Sequence, residues 1–388
     1  MAAFQTITEG KTRLLVPESK SGKGPGSKSA VFFNPAMASN RDVSVLYAGC
    51  RAKKGWRMLD ALGGTGARGI RLAVEAPKMR IHINDRVPDA VKAIRKNIRL
   101  NDLKAIETSQ QEVFALLPTG KWDWIDIDPY GSPIDFVDAA VQRLAAGGTL
   151  SVTATDTAPL CGTFSKACRR RYMARPMNSG CKHETGLRIL AGNIVRRAAV
   201  MDIALAPELA YYQGHFFRCY FRKSGGAKQA DALLKKIGYL ELKDGEYSAS
   251  DKCPTGKSWA GPSNLRLKQS ENRKFFGKPR PAEQGWAGPL WIGNLAEKKL
   301  VGEMLASADD SMTKETVKLL QILKDELLQP PFHYHTDDLA RAWRIEPPKT
   351  KDAIEILKQR GHRASPVHYS TKGFKTDAGY DEMRGIFG

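Results

Sequence analysis

A strand, a glycine-rich turn and a helix follow one another directly, and this order constrains the fold more than any other feature. The apolar run Trp56–Leu62 leads into Gly64 and Gly66, and helical spacing begins over Ala67–Glu75. Glycines permit a tight turn and a close approach of the backbone to a ligand, and the first amides of the helix can bind a polar group. The segment therefore predicts a parallel α/β sheet with a ligand site at its carboxyl edge.

Strands and helices continue to alternate as far as about residue 223. Apolar runs predict further strands, and the stretches between them have the spacing of amphipathic helices. The predicted strands are Met79–Asn84, Trp122–Ile127 and Gly148–Thr155, the predicted helices are Val87–Leu100 and Pro133–Leu144, and a final strand pair, Leu209–Arg222, turns near Gly214. Strands joined by helices form parallel sheets with right-handed crossovers, so we expect a Rossmann-like, mostly parallel, doubly wound α/β sheet.

The chain is long enough for more than one domain. At about 100–200 residues per domain, 388 residues allow two or three. The segment Ser224-Gly225-Gly226 follows the last predicted strand and has the composition of a linker. We therefore predict an α/β domain with an N-terminal extension over residues 1–224 and an α+β domain over residues 225–388.

The chain is strongly basic, with 61 Lys and Arg residues against 41 Asp and Glu residues and a formal net charge of +20. This excess favours a polyanionic partner, most simply nucleic acid, because each phosphate contact releases counterions. A solvated basic surface is the alternative. The charge is concentrated in residues 166–197 and 252–280, and the second stretch also carries Trp259, Phe275 and Phe276. Basic residues interleaved with rings suit backbone contact and base stacking.

Several classes of protein are disfavoured by what the sequence lacks. No stretch approaches the roughly 18 apolar residues that a membrane-spanning helix needs, and residues 1–10 lack the layout of a signal peptide. The six cysteines are scattered without a C-x-x-C pair, which disfavours a disulfide framework or a four-cysteine zinc site. We therefore expect a cytoplasmic protein with no membrane partner and no metal.

Acidic residues and glycines at the first two strand ends predict a nucleotide site. Asp60 lies near the end of the first strand, and Gly64 and Gly66 begin a G-x-G-x-x-G pattern. Asp85 lies nineteen residues beyond Gly66, after the next strand, where a carboxylate can accept hydrogen bonds from ribose hydroxyls. These residues fit an adenosine-containing ligand and leave both NAD(P) and S-adenosylmethionine open.

The segment Asp128-Pro129-Tyr130-Gly131, which follows the strand Trp122–Ile127, favours methyl transfer over hydride transfer. The lone pair of an exocyclic amine is delocalised into the base, so a methyltransferase must orient the amine and accept its proton. Asp128 can accept the proton, and Tyr130 can stack on the flat base. Hydride transfer has no evident use for this arrangement.

These motifs, together with several others, resemble those of the tRNA guanine-26 N2-dimethyltransferase family. Order and spacing both fit over most of the chain. The matching segments are Glu9–Lys11, Val31–Met37, Asn40–Asp42, Asp60–Arg71, Asp128–Pro133, Ala154–Gly162, Arg171-Tyr172, His183–Arg188, Ala287–Trp291 and Gly373–Asp377. The resemblance implies two successive methyl transfers from S-adenosyl-L-methionine to N2 of one guanosine in tRNA. It also implies a class I methyltransferase domain, followed by a C-terminal domain that binds tRNA.

The resemblance further implies roles for individual residues. Asp128 would hold and deprotonate the amine, while Phe32 and Tyr130 would sandwich the flipped base. Arg41 would bind the methionine carboxylate, and Glu112 or the amide of Val113 would face the adenine. The predicted cofactor residues are Arg41, Asp60, Gly64, Gly66, Arg68, Asp85, Arg86, Glu112 and Val113, and the predicted RNA contacts are Lys166, Arg169, Arg170 and Arg171.

One departure from the family pattern concerns metal binding. Several relatives carry paired C-x-x-C motifs before the segment Ala287–Trp291, whereas Cys253 is the only cysteine of this chain in that region. We therefore predict no structural zinc.

Two other functions are compatible with the sequence. One is an amine methyltransferase that acts on another base, such as adenine N6 in DNA. The other is a non-catalytic RNA-binding protein that keeps the fold, although the intact Asp85 and Asp128 argue against it.

Overall fold

The computed structural model describes residues 3–18, 31–243, 246–253 and 284–387. The strands in these ranges are β1 (Phe4–Glu9), β2 (Thr12–Pro17), β3 (Trp56–Asp60), β4 (Met79–Asn84), β5 (Ile106–Ser109), β6 (Trp122–Ile127), β7 (Leu144–Ala154), β8 (Ala204–Gln213), β9 (Phe216–Gly225), β10 (Ile237–Lys243), β11 (Glu246–Ser250), β12 (Gln284–Trp291), β13 (Tyr334–His335), β14 (Ala364–Val367) and β15 (Ser370–Thr376).

The α-helices in the same ranges are α1 (Ala38–Arg51), α2 (Ala67–Glu75), α3 (Pro88–Leu100), α4 (Val113–Leu116), α5 (Ile134–Arg143), α6 (Thr157–Leu160), α7 (Ser165–Tyr172), α8 (Lys182–Ala199), α9 (Ala227–Leu234), α10 (Lys298–Ser307), α11 (Lys314–Glu326), α12 (Thr336–Trp343), α13 (Thr350–Gln359) and α14 (Tyr380–Phe387). None of these helices in the described part of the chain has both the length and the apolar composition to cross a membrane. Most of the basic stretch 252–280, with Trp259, Phe275 and Phe276, lies outside the described residues.

Two compact units make up the chain, and both are discontinuous in sequence. Unit 1 comprises residues 1–156, 197–231 and 294–328, and unit 2 comprises residues 157–196, 232–293 and 329–388. The linear domain boundary after residue 224 stays a prediction. The predicted linker at that point is wrong, because Ser224 and Gly225 end β9 and Gly225 pairs with Ala204 of β8.

Unit 1 contains a seven-stranded sheet in the order β5-β4-β3-β6-β7-β9-β8. Neighbouring strands from β5 to β7 are parallel, while β9 is antiparallel to both β7 and β8. The prediction of a Rossmann-like, mostly parallel α/β sheet is confirmed. The bounds of α2, β4 and β6 agree with the sequence prediction, whereas the short strand β5 is absent from it.

The central strand β6 shows how the sheet is stabilised. Trp122, Trp124, Ile125 and Ile127 are all buried, as expected for a parallel sheet that is covered on both faces. Asp126 is a fully buried carboxylate in the same strand. A buried charge is strongly unfavourable unless it is paired, so Asp126 requires positively charged partners near this edge of the sheet.

The N-terminal hairpin β1–β2, which the sequence pattern does not predict, packs against α3. The side chain of Asn97 bonds the backbone of Leu15 twice, accepting from its amide at 2.6 Å and donating to its carbonyl at 3.0 Å. The turn residue Gly10 has φ +59°, and a Cβ there would lie 2.3 Å from Nη2 of Arg71. The positive φ favours glycine, and a side chain at this position would displace the ends of the Arg71 and Glu75 side chains. The turn carries Glu9 into the buried interior.

Unit 2 has an α+β architecture with two three-stranded antiparallel sheets, β11-β10-β12 and β13-β15-β14. The buried carboxylate of Glu184 in α8 connects this helix to the C-terminal segment of unit 2 that begins at residue 329. It accepts hydrogen bonds from the amide of Phe332 at 2.8 Å, from Nδ1 of His333 at 2.9 Å and from Nε of Arg188 at 3.0 Å. The last part of the chain is thereby fastened to α8.

Candidate active site

The carboxyl ends of β3, β4 and β6 meet at one edge of the sheet in unit 1. Asp60, the last residue of β3, pairs in register with Asp126 of β6. Asp85 and Asp128 directly follow β4 and β6. Because parallel strands end at the same edge, acidic residues that are distant in sequence come to share one site.

The turn between β3 and α2 has a backbone that glycine adopts most readily. Gly64 and Gly66 have φ values of +57° and +77°, where a residue with a side chain is strained. A Cβ on Gly64 would also lie 2.9 Å from the carbonyl oxygen of Phe32. The segment that carries Phe32, a predicted base-binding residue, therefore lies directly against the glycine turn.

Asp85 holds the glycine turn with one of its oxygen atoms and the start of α3 with the other. Oδ2 accepts a hydrogen bond from the amide of Gly64 at 2.9 Å, and Oδ1 accepts one from the amide of Val87 at 2.9 Å. A carboxylate has about four lone-pair sites, so each oxygen can accept one more bond. This remaining capacity suits two adjacent hydroxyl groups, such as those of a ribose.

Asp60 is buried behind the turn. Its side chain accepts a hydrogen bond from the amide of Gly69 at 3.1 Å, which holds the start of α2. Burial raises the pKa of Asp60 to about 7, and the neighbouring charge of Asp126 adds to the increase. Direct contact of Asp60 with a cofactor stays a prediction.

Arg68 connects the buried Asp126 to the partly exposed Asp128. Its Nη2 donates a hydrogen bond to Oδ2 of Asp128, and its Nε lies 2.5 Å from Oδ2 of Asp126. Its Nη1 donates to Asn40 at 2.8 Å and to Ser44 at 2.6 Å. Each of the three nitrogen atoms of this guanidinium therefore already has a partner in the protein. Arg68 orients Asp128, and its contact with a cofactor stays a prediction.

Arg218, on the antiparallel strand β9, is a second cationic partner of Asp126. Its Nη1 donates to Oδ1 of Asp126 at 2.7 Å and to Oγ1 of Thr153 at 3.0 Å. Burial raises the pKa of Asp126, but Arg218 and Arg68 outweigh that effect and lower it below the usual value. The result is a row of alternating charges: Arg218, Asp126, Arg68 and Asp128. Neither Asp126 nor Arg218 is among the residues predicted from the sequence, although a charged residue between two apolar neighbours in a strand is a signal that could have found them.

Arg41, the predicted contact of the methionine carboxylate, is already paired with an acid of the N-terminal hairpin. It is 6% exposed and donates to Glu9 twice, from Nε at 2.6 Å and from Nη2 at 2.5 Å. Nη2 also donates to the carbonyl of Asn34 at 3.2 Å. Glu9 therefore belongs to the surroundings of this site, which sequence reasoning did not predict.

The two predicted base-binding rings touch each other. The ring centroids of Phe32 and Tyr130 are 4.6 Å apart, and their planes meet at 70°, an edge-to-face contact. The side chain of Tyr130 is 68% exposed, an unusual exposure for a ring of this size. Rings in this arrangement leave no gap for a base, so the predicted sandwich requires one of them to turn.

The remaining predicted cofactor residues lie at the ends of β4 and β5. Arg86 and Glu112 are both exposed and form an ion pair at 3.5 Å, and Val113 is buried at the start of α4. Asn84, which sequence reasoning missed, ties this region together. Its Nδ2 donates to the carbonyls of Ala61 and Gln111, both at 3.0 Å.

The predicted RNA contacts lie in unit 2 on helix α7. Lys166, Arg170 and Arg171 are exposed and Arg169 is half-buried, while Cys168 and Tyr172 face the interior. The helix contains no acidic residue, and Phe164, just before it, is 60% exposed. This side of α7 therefore presents positive charge beside an exposed ring.

One buried cluster of possible metal ligands occurs among the described residues, formed by Cys181, Glu184 and His333. Two cations already neutralise Glu184, since Nη2 of Arg188 lies 2.9 Å and Nζ of Lys375 3.1 Å from its Oε1. A divalent ion in this buried cluster would leave excess positive charge, which is unfavourable in a buried environment. The contacts favour an ion-pair network in which both oxygen atoms of the carboxylate already have partners in the protein.

The chain is similar to known proteins over nearly its whole length. Residues 10–387 match the model of a family described as N2,N2-dimethylguanosine tRNA methyltransferase. The tRNA (guanine(26)-N(2))-dimethyltransferase of Thermococcus kodakarensis is 37% identical over 391 residues, which cover 96% of each chain. The protein with the same name from Pyrococcus abyssi is 36% identical and covers 97% of this chain and 96% of its own.

A solved structure extends this similarity to the fold. The Trm1 structure from Pyrococcus horikoshii, determined with S-adenosyl-L-methionine, superimposes with a TM-score of 0.83 and 32% identity. The match covers 99% of both chains. Sequence and fold therefore agree over both compact units.

Proposed function

The chain belongs to the N2,N2-dimethylguanosine tRNA methyltransferase family, and on that premise we propose that it methylates the exocyclic N2 amine of guanosine 26 in tRNA, with S-adenosyl-L-methionine as methyl donor. The products are N2-methylguanosine and N2,N2-dimethylguanosine. The observation that carries this proposal is the Asp128 carboxylate, oriented by Arg68 and followed two residues later by the exposed ring of Tyr130, at the edge that holds the glycine turn. We infer action in the cytoplasm, where tRNA and the methyl donor are available.

The residues of this site fit the cofactor. The glycine turn lets a ligand approach the backbone, and the spare lone pairs of Asp85 suit the two ribose hydroxyls. When bound, S-adenosyl-L-methionine supplies an electrophilic methyl group on a sulfonium. Arg86, Glu112 and Val113 would line the adenine end, and Arg41 would bind the carboxylate.

Asp128 performs the proton chemistry in this proposal. Arg68 holds Oδ2 of Asp128, which leaves Oδ1 to accept a hydrogen bond from the N2 amine of guanine. That bond turns the amine lone pair toward the methyl donor, and the proton passes to the carboxylate as the N–C bond forms. A second transfer to the same nitrogen requires the carboxylate to release its proton first. The partial exposure of Asp128, with 23% of its side chain accessible, provides a route to solvent.

The base must leave its stack to reach Asp128. Extruding a nucleobase costs a few kcal/mol, and stacking on an aromatic ring recovers about 1–3 kcal/mol per base. We propose that guanine enters between Phe32 and Tyr130, and that the exposed Tyr130 turns away from Phe32 to admit it. The edge-to-face contact then serves as the resting position of the pair.

Tyr130→Ala is expected to lower kcat/KM for tRNA by about 10–100-fold, because the lost stacking corresponds to roughly 1–3 kcal/mol. The affinity for S-adenosyl-L-methionine should stay within about twofold of wild type. Tyr130→Phe keeps the ring and is the matched control, with near-normal kcat/KM. Steady-state methylation and calorimetry measure the two quantities. Equal losses of tRNA and cofactor binding in Tyr130→Ala would contradict the stacking role.

The basic helix α7 supplies the second part of the proposal. We propose that Lys166, Arg169, Arg170 and Arg171 bind phosphates of tRNA, which positions the RNA without reading its sequence. The absence of any acid in α7 and the exposure of three of these residues support this role.

A methylation assay with purified protein tests the proposed function. Labelled S-adenosyl-L-methionine is supplied with a tRNA transcript that carries guanine at position 26, and with a matched transcript that carries adenine there. We expect label in the guanine transcript alone, recovered as N2-methylguanosine and N2,N2-dimethylguanosine by mass spectrometry of nucleosides. Methylated adenine would support a methyltransferase for another base, and tRNA binding without transfer would support a non-catalytic RNA-binding protein.

A further inference from the structure

The carboxylate of Glu9 and the guanidinium of Arg41 form a buried ion pair with matched geometry. Two parallel hydrogen bonds join them, and Glu9 and Arg41 are 8% and 6% exposed. Bidentate pairs of this kind fix the plane of a guanidinium as well as its position. Burial raises the pKa of Glu9, but Arg41 and Arg71 outweigh that effect and lower it, so the carboxylate is ionised at neutral pH.

The hydrogen bonds of Arg41 show which of its N–H groups remain available. A guanidinium has five N–H groups. Nε and one N–H of Nη2 donate to Glu9, and the second N–H of Nη2 donates to the carbonyl of Asn34. Among the described residues, nothing accepts a hydrogen bond from Nη1 of Arg41, although that atom is not sealed in the interior. Two N–H groups on a fixed plane are therefore available to a ligand.

The backbone next to Arg41 connects it to the glycine turn. Asn34, whose carbonyl accepts from Arg41, lies two residues after Phe32. The carbonyl of Phe32 in turn lies against Gly64, where a Cβ would come within 2.9 Å. The free N–H groups of Arg41 thus belong to the same loop system as the glycine turn. The hairpin turn at Gly10, which approaches Arg71 closely, holds Glu9 in place beside it.

We propose that Glu9 is a positioning residue for cofactor selection: it locks the Arg41 guanidinium so that Nη1 is presented to the carboxylate of the methionine moiety. This inference rests on the proposed function, because it takes S-adenosyl-L-methionine as the ligand. It assigns the N-terminal hairpin to the cofactor site. It also gives a reason why the hairpin turn places the buried carboxylate of Glu9 against Arg41 of α1.

Glu9→Gln tests the proposal through two ligands that differ in one group. Decarboxylated S-adenosylmethionine keeps the adenosine, the sulfonium and the amine and lacks only the carboxylate. Calorimetry on the full-length protein gives the ratio of its Kd to that of S-adenosyl-L-methionine. We expect this ratio to fall about tenfold in Glu9→Gln, because Arg41 loses its fixed orientation. Any change in the field on the sulfonium affects both ligands and cancels in the ratio.

Glu75→Gln is the matched control. Glu75 belongs to the same set of buried ion pairs, bonding Arg71 at 2.8 Å and Thr12 at 2.8 Å, but it does not contact Arg41. The ratio should be unchanged in this variant even if its thermal stability falls. Arg41→Lys cannot form the bidentate pair and should therefore reproduce the loss of selectivity. This variant replaces Glu9→Gln in the test if Glu9→Gln does not fold.

The outcomes separate this inference from the proposed function. An unchanged or increased ratio in Glu9→Gln overturns the positioning role, and an increase would mean that Glu9 competes with the cofactor for Arg41. A wild-type protein that binds both ligands equally also overturns it, while leaving the methyl donor established. Only the failure of wild type to bind S-adenosyl-L-methionine at all would count against the proposed function itself.

Discussion

Asp128→Asn is expected to slow methyl transfer under single-turnover conditions by about 10²–10⁴-fold, the usual contribution of a general base. The amide keeps the shape of the side chain and an oxygen that can still accept a hydrogen bond from Arg68. It cannot take up the proton of the guanine amine. Binding of S-adenosyl-L-methionine should therefore stay within about twofold of wild type, as measured by calorimetry.

Asp123→Asn is the control for this substitution. Asp123 lies on β6, the strand that Asp128 follows, and its Oδ2 accepts a hydrogen bond from the amide of Arg57 at 2.9 Å, away from Arg68. The rate should change by less than about twofold in this variant. A rate in Asp128→Asn within tenfold of wild type would mean that another group accepts the proton, and the assignment of Asp128 as base would be wrong.

The parts of the fold that the sequence predicts well are those in which one local signal decides the outcome. β4 and β6 are short segments rich in Met, Ile and Trp and bounded by turn residues, and a parallel sheet covered by helices requires such apolar side chains. The positions of Asp85 and Asp128 follow directly, because residues after parallel strands lie at one edge. The site could therefore be located without any knowledge of tertiary contacts.

The pairing of charges at that edge could not be predicted in the same way. Arg68 and Asp128 are separated by 60 residues, and Arg218 and Asp126 by 92. Which arginine meets which carboxylate depends on strand register and on the antiparallel insertion of β9, and neither has a local signal. For the same reason, the family resemblance implied that Arg68 and Arg41 bind the cofactor without revealing their protein partners.

The hairpin β1–β2 was missed for a different reason. Its strands alternate weakly, and its turn, Glu9-Gly10-Lys11, carries charges at both ends, as an exposed loop would. Only the tertiary structure shows that Glu9 is buried, whereas Lys11 at the other end of the turn is exposed. A glycine between two charged residues is equally typical of a solvent-exposed turn, so the local sequence does not distinguish the two environments.

The double substitution of Lys166 and Arg170 by Gln should weaken tRNA binding by roughly 60-fold at 0.1 M salt, if each residue contributes one phosphate contact. The two side chains lie four residues apart on α7, so they share one face of the helix, and both are exposed. Each phosphate contact releases about 0.9 counterions on a duplex. The slope of log K against log salt should therefore become less steep by about 1.8.

Lys314 and Lys318 provide the matched control for this charge removal. They are also exposed and four residues apart, on α11, so replacing both by Gln removes the same two charges at the same spacing. Non-specific attraction by the net charge of +20 would weaken equally in both double variants. Site-specific phosphate contacts predict a large change for the α7 variant and a small one for the α11 variant. Equal salt slopes in the two variants would therefore move the RNA-binding surface away from α7 and leave only the overall charge as the source of affinity.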